Sequence, residues 1–258
     1  MSVADWSGRD YSRVSSLQRS VAAETLAELV VDGGEWVLDI GCGDGFLTHE
    51  IAARLPHGFI VGVDASPRMV ATAGHSGASA PAGPVFACAD ARRLPFGRSF
   101  DMVVSFNALH WVVQLGEALT GIAAVLRPQG RALIQMVCGG TRPSIESTAM
   151  AVAAGERWAH YFAEFPAPFL HPDPGALREL AQSCGLRVEV MTVRDREWDF
   201  GSVEQFTAWS AVGCTAWTDR LPETERAAFI DDMVAAYQPV AGRPGLFRFM
   251  QLRAELRA

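Results

Sequence analysis

The chain has 258 residues, 49% of them hydrophobic, and a formal net charge of −7 at pH 7. That apolar share furnishes a core for one large domain, or a domain with a cap, and argues against global disorder; the acidic balance, with no block of basic residues, argues against non-specific nucleic-acid binding. All 22 basic residues are arginine, which excludes lysine Schiff-base chemistry, pyridoxal phosphate anchoring and a P-loop lysine.

In chain order, Ser15–Val31 is predicted as an amphipathic helix, with Leu17, Val21, Leu26, Leu29 and Val30 as a rough apolar stripe. Strand and helix patterns alternate after it. Strands are expected at Trp36–Ile40, Phe59–Val63, Val85–Ala89, Met102–Ser105 and Ala132–Val137, and helices at Phe46–Leu55, Pro67–Ala73 and Glu117–Leu126. Arg127-Pro-Gln-Gly130 stops the last helix, because proline and glycine continue it poorly. The Gly-, Ser-, Ala- and Pro-rich run from Gly74 to Pro84 reads as a surface loop. Such alternation predicts a parallel sheet covered by helices on both faces.

The second half is less regular. Glu146–Phe165 reads as a helix carrying Trp158, His160, Tyr161 and Phe162. Asp173-Pro-Gly-Ala opens another, with Asp173 as N-cap and Pro174 in the first turn, ending near Cys184-Gly185. Leu186–Val193 follows as a strand, Val203–Gly213 and Glu223–Ala236 as helices, and Leu246–Leu252 as a final strand. Trp158, His160, Tyr161, Trp209 and Trp217 suit an apolar or planar pocket, although aromatics at helical spacing more often build core. The cysteines at 42, 88, 138, 184 and 214 form no CxxC pair and no zinc spacing, so they read as small buried hydrophobes with no metal. No apolar run approaches the roughly 20 residues that span a bilayer, and the N-terminus lacks an apolar signal region. A cytoplasmic protein without membrane contact is expected.

The most informative stretch is Val37-Leu-Asp-Ile-Gly-Cys-Gly-Asp-Gly45. A strand, a glycine turn and a helix start is how an open α/β sheet builds a nucleotide-type pocket at its carboxyl edge. The spacing Gly41-x-Gly43-x-Gly45 departs from the dinucleotide fingerprint. Asp39 and Asp44, around the turn, would repel a pyrophosphate and suit a cationic ligand. About 20 residues on, Val61-Gly-Val-Asp64 ends a second strand in an acid, where such folds hold ribose hydroxyls.

Taken with Asp64, Ala89-Asp90-Ala91 and Phe100-Asp-Met-Val-Val-Ser-Phe-Asn-Ala-Leu-His-Trp111, this motif resembles the class I S-adenosylmethionine-dependent methyltransferases over residues 35–138. The resemblance implies an α/β fold: a doubly wound, Rossmann-like seven-stranded sheet with its last strand antiparallel and a helical cap. It divides the chain into an N-terminal helical lid (1–34), a cofactor-binding core (35–142, 172–200 and 245–258) and a cap over the active site (143–171 and 201–244). It implies S-adenosylmethionine as cofactor. Asp39 would orient the methionine amino group, and Gly41, Cys42 and Gly43 would let backbone approach the ligand. Asp64 would accept both ribose hydroxyls, Ala65 and Met69 would pack on the adenine, and Asp90 and the Ala91 amide would read its edge. Asn107 would present its backbone to the methionine part. His110, as catalytic base or hydrogen-bond donor, Trp111 and the N-terminal Tyr11 would face the methyl acceptor.

Within the class, Trp6…Tyr11…Leu17-Gln18, Ala108-Leu-His-Trp111 and Phe247-Arg-Phe-Met-Gln-Leu252 resemble the trans-aconitate and juvenile-hormone-acid methyltransferases. That likeness implies O-methylation of a small carboxylic acid by a monomer or homodimer. Arg142, Arg157 and Arg194 are too scattered to suggest a tricarboxylate clamp. Two alternatives stand beside it: a phenolic or carbon acceptor with His110 as base, and a non-catalytic, cofactor-binding regulatory protein that kept the fold.

Overall fold

A computed structural model describes residues 16–75 and 83–258. The alternation read from the sequence is present. Helix α1 (Ser16–Glu28) leads into β1 (Trp36–Ile40), α2 (Phe46–Ala52), β2 (Phe59–Asp64), α3 (Pro67–His75), β3 (Val85–Cys88) and β4 (Phe100–Phe106). Helix α4 (Leu115–Val125) and β5 (Leu126–Val137) follow. Beyond them come α5 (Ile145–Ala153), α6 (Pro174–Ser183), β6 (Arg187–Asp199), α7 (Val203–Gly213), α8 (Thr215–Thr218), α9 (Glu223–Ala241) and β7 (Leu246–Arg257).

The seven strands form one sheet in the order β3-β2-β1-β4-β5-β7-β6. The neighbours from β3 to β5 pair in parallel, and β7 runs antiparallel to β5. The winding reverses between β1 and β4. At such a switch point the loops leaving the two strands diverge and open a crevice at their carboxyl ends. The central strands are buried on both faces, as their unbroken apolar runs require. On the α1 and α2 side, Leu26, Leu29, Val37, Ile51, Leu55, Ile60, Met102, Val104, Phe106 and Leu133 form one core cluster.

Several elements differ from their predicted bounds. Leu126 already pairs with Phe100, but Arg131 is the next β5 residue in register, opposite Met102. The intervening Arg127-Pro-Gln-Gly130 bulges out, with Gln129 at φ +68°, and Arg127 binds Asp101 at 2.7 Å. The expected Glu146–Phe165 helix stops at Ala153, and a short turn at Ala159–Tyr161 follows. Gly155 weakens the helix there, and Trp158 is drawn onto α9, its indole donating to Asp232 at 2.9 Å and its ring meeting Phe229 edge-on. Strands β6 and β7 both outrun their predicted ends. Charged residues alternate along their extensions, a pattern that apolar counting ends too early and that suits β6, whose outer side faces solvent. Asp173 caps α6 as expected, accepting from the Gly175 and Ala176 amides. Of the cysteines, 42, 138 and 214 are buried, but Cys88, ending edge strand β3, is exposed.

The described chain separates into two compact units. One is built on the sheet and takes in the residues up to Gly139, with Leu170–Arg194 and Gln251–Ala258; the other holds Gly140–Phe169 and Asp195–Met250. The second unit has an aromatic core. Phe206, Trp217, Phe229 and Tyr237 are all 0–1% exposed, and Phe200, Phe206, Trp209 and Phe247 stack among themselves. The Tyr237 hydroxyl donates to the Arg248 carbonyl at 2.6 Å and accepts from its amide at 3.2 Å. This two-way bond ties α9 to β7 and accounts for the helix running past Ala236 to Gly242, which ends it at φ +93°. Tyr237→Phe leaves both backbone groups without that partner and is expected to cost about 1–3 kcal/mol in urea unfolding, with an unchanged m-value.

Candidate functional site

The turn after β1 crosses the end of β2. The Gly41 and Cys42 amides both donate to the Val63 carbonyl, at 2.7 and 3.1 Å. Gly41 sits at φ +77°, and a Cβ there would lie 2.1 Å from the Cβ of Ala108. Its missing side chain therefore makes room for the loop after β4, which the protein itself occupies. Gly43, at φ +56°, is different: a Cβ there would meet nothing within 4 Å. Its backbone borders open space, and its amide donates to Asp64 Oδ2 at 3.0 Å. Cys42 is buried, and burial together with the neighbouring acids pushes its thiol far up, so it stays protonated and packs as an apolar group.

Two acids stand beneath this turn. Asp39, 2% exposed, accepts the Thr48 hydroxyl at 2.6 Å. Burial, and the negative charge of Asp64, outweigh that bond and push its carboxyl up to about 7. Asp64 ends β2 and accepts from the Gly43 and Ser66 amides at 3.0 and 2.8 Å. Burial raises its carboxyl above the usual range while those amides pull it down. Each of its oxygens keeps a lone pair for a further donor. Asp64 braces the loop, and the N-cap of α3 is Ser66, whose Oγ accepts from the Met69 amide at 3.3 Å. Ala65 is half-buried beside Asp64, and Met69 is buried under the same loop. At the end of β3, Asp90 is clasped by the Arg92 guanidinium, which reaches its Oδ2 at 2.6 Å. That pairing holds its carboxyl below the ordinary value, so a ligand amino group would share Asp90 with an arginine. Ala91 follows, half-buried.

The loop after β4 forms the opposite wall. Asn107 takes φ +55°, rare for a residue with a side chain. Its amide donates to the Gln135 carbonyl at 2.7 Å, while its Oδ1 is buried without a partner among the described residues. Strain and an orphaned acceptor together are what a ligand-facing position would show. His110, 4% exposed, sits in a short turn (Leu109–Trp111) with its Nδ1 unpartnered among the described residues. Burial first, and the neighbouring His171 second, push its imidazole down to about 3. Trp111 lies on one side of that ring, with centroids 5.2 Å apart, and His171 on another, at 6.0 Å.

The sequence reading missed Thr48 and His171. Thr48, on α2, reaches back to Asp39 on β1, a contact that no spacing rule marks. His171 arrives on a strap from 61 residues away (171 minus 110), fastened where the Leu170 amide donates to the His110 carbonyl at 2.7 Å and the Gly139 amide to that of Pro172 at 3.0 Å. Trp6 and Tyr11 lie outside the described residues, as does the side chain of Gln18.

Asp39 and His110 titrate in opposite senses. The raised Asp39 carboxyl favours the folded state below its unfolded value, 3.8, and that advantage is lost as pH rises through about 7. The depressed His110 favours it above 6.5 and loses its contribution as pH falls towards about 3. The readout is therefore a difference: Asp39→Asn should gain stability relative to the parent between pH 5 and pH 8 in urea titrations, and a constant difference would show that Asp39 ionises normally.

Residues 37–130 match the methyltransferase domain family. An uncharacterized methyltransferase of Schizosaccharomyces pombe is 34% identical over 52% of this chain, which spans about half (51%) of that relative's length. The trans-aconitate 2-methyltransferase of Methylobacterium radiotolerans is 29% identical over 89% of this chain and 87% of its own; that of Escherichia coli K12 is 26% identical over 88% and 86%. Among solved structures, the YcgJ protein of Bacillus subtilis superposes with a TM-score of 0.67 at 17% identity, covering 93% of this chain and 98% of its own. Phosphoethanolamine N-methyltransferase 2 of Haemonchus contortus, solved with S-adenosyl-L-methionine, gives 0.62 at 17% identity, over 96% of this chain and 56% of its own.

Proposed function

We propose that this chain is a class I S-adenosylmethionine-dependent methyltransferase that carries the methyl group to a carboxylate oxygen of a small organic acid, a reading supported by its likeness to methyltransferases. The observation that carries the reading is the burial of His110, 4% exposed and with no partner for its Nδ1 among the described residues. An imidazole pushed down to about 3 is neutral at ordinary pH and a feeble base. A phenol or a carbon acid needs a base; a carboxylate arrives already deprotonated. The unpartnered Nδ1 of His110 suits an N–H donated to that carboxylate. The likeness to trans-aconitate 2-methyltransferases along most of the chain supports the same class of acceptor.

The turn also fits the cofactor. S-adenosylmethionine supplies a methyl group on a sulfonium, whose departure as a neutral thioether makes the leaving group excellent. The protein's part is then alignment and the exclusion of water. Asp39, buried without a cation, answers a ligand ammonium, and Asp64 offers its spare lone pairs to a vicinal diol. Gly43 gives backbone access, with Gly41 and Cys42 shaping the bend. Ala65 and Met69 line the adenine side, where Asp90, shared with Arg92, and Ala91 meet the ring edge. Asn107 stands at the methionine part, and the Trp111 face offers itself to the positive sulfur. Arg142 already pairs with Asp195 and Arg157 with Asp232, which favours an acid with one carboxylate over a tricarboxylate.

Two measurements test this. Asp64→Ala should weaken cofactor binding by about 1–3 kcal/mol in calorimetry; an unchanged affinity removes the ribose assignment. With radiolabelled cofactor and a panel of acids, phenols and amines, label should enter base-labile esters of the acids, and label confined to phenols or amines would overturn the acceptor class.

A further inference from the structure

Two carboxamides on the α1 face of the sheet have no place in the reading so far. Gln135 on β5 and Gln251 on β7 are 4% and 6% exposed. In the antiparallel ladder Gln135 stands opposite Arg253 and Val137 opposite Gln251. With a side-chain period of two, these four residues share one face, and the two glutamines are diagonal neighbours, about 7–8 Å apart in such ladders. The Thr25 hydroxyl of α1 donates to Gln135 Oε1 at 3.0 Å, which leaves the amide's NH2 end uncommitted. Among the described residues neither that Nε2 nor the Nε2 of Gln251 has a partner, although both atoms are buried.

Their level in the sheet is that of the candidate site. Gln135 receives the Asn107 amide on its own carbonyl at 2.7 Å, and Gln251, opposite Val137, stands two positions nearer the carboxyl edge. The guanidinium directly opposite Gln135 is engaged elsewhere, since Arg253 is paired with Glu28 and Glu255. Leaving a buried donor unmet is costly, and here two stand side by side.

We propose that Gln135 and Gln251 together receive a ligand carboxylate, each donating an Nε2–H to one of its oxygens. Neutral amides suit this task, because they orient the anion without a full positive charge that would draw electron density from an attacking oxygen. The carboxylate belongs either to the methyl acceptor or to the amino-acid end of the cofactor. The first source rests on the reading of the acceptor as an acid; the second does not.

Gln251→Met, nearly isosteric but without donors, and Gln251→Asn, which keeps a shorter donor and serves should the methionine variant fold poorly, separate the cases. The readouts are calorimetric affinity for S-adenosylhomocysteine and for its decarboxylated analogue, and the KM of whichever acid the panel identifies. An acceptor-side role raises KM about tenfold or more while S-adenosylhomocysteine binds as before. A cofactor-side role weakens S-adenosylhomocysteine about tenfold and leaves the decarboxylated analogue equally bound by parent and variant, a result that holds even if no acid proves to be a substrate. Unchanged affinity and unchanged KM, with melting temperature raised by the methionine variant, would mean that only a trapped water meets these amides and would overturn the proposal.

Discussion

A carboxylate buried without a cation sets the terms for the rest of the molecule. Asp39 lies at the end of the central strand with one hydroxyl for company and a second acid, Asp64, close behind it. In a medium of low polarity such a pair keeps its charge poorly. The fold tolerates the arrangement because the sheet, the Gly41–Gly43 bend and Thr48 hold the two acids rigidly. A positively charged ligand would relieve it. This preference, more than the glycines, separates the site from one made for a pyrophosphate.

The first half of the fold was legible because its signals are local. Apolar runs of strand length, punctuated by glycine and proline, place β1 to β4 to within two residues at each end. Asp39, Asp64 and Asn107 were legible as positions, since each closes such a run. Their surroundings were not. The need for glycine at 41 comes from Ala108, the partner of Asp90 is an arginine two residues along, and the suppressed basicity of His110 depends on burial and on His171. The first and the last are contacts across the fold and the second is a local clasp, and no periodicity encodes any of them. The second half misled where charge alternates along β6 and β7, and where Trp158 leaves its predicted helix to pack on Phe229.

The aromatic residues show the same limit from another side. Read as a list, Trp158, Trp209 and Trp217 suited a pocket for a flat ligand. In the structure Trp158 and Trp217 are spent on the core of the second unit, beside Phe206, Phe229 and Tyr237. Apolar surface of that size is consumed first by the protein's own need for a core, so composition cannot separate a lining from a filling.

The contact between Gly41 and Ala108 fastens two loops that leave different strands. With a hypothetical Cβ at 41 already overlapping the methyl of 108, residue 41 cannot grow without prising the loops apart, and its φ of +77° strains any side chain placed there. In descendants of this chain position 41 should stay glycine even where 108 shrinks, because trimming the alanine removes the overlap and leaves the left-handed backbone.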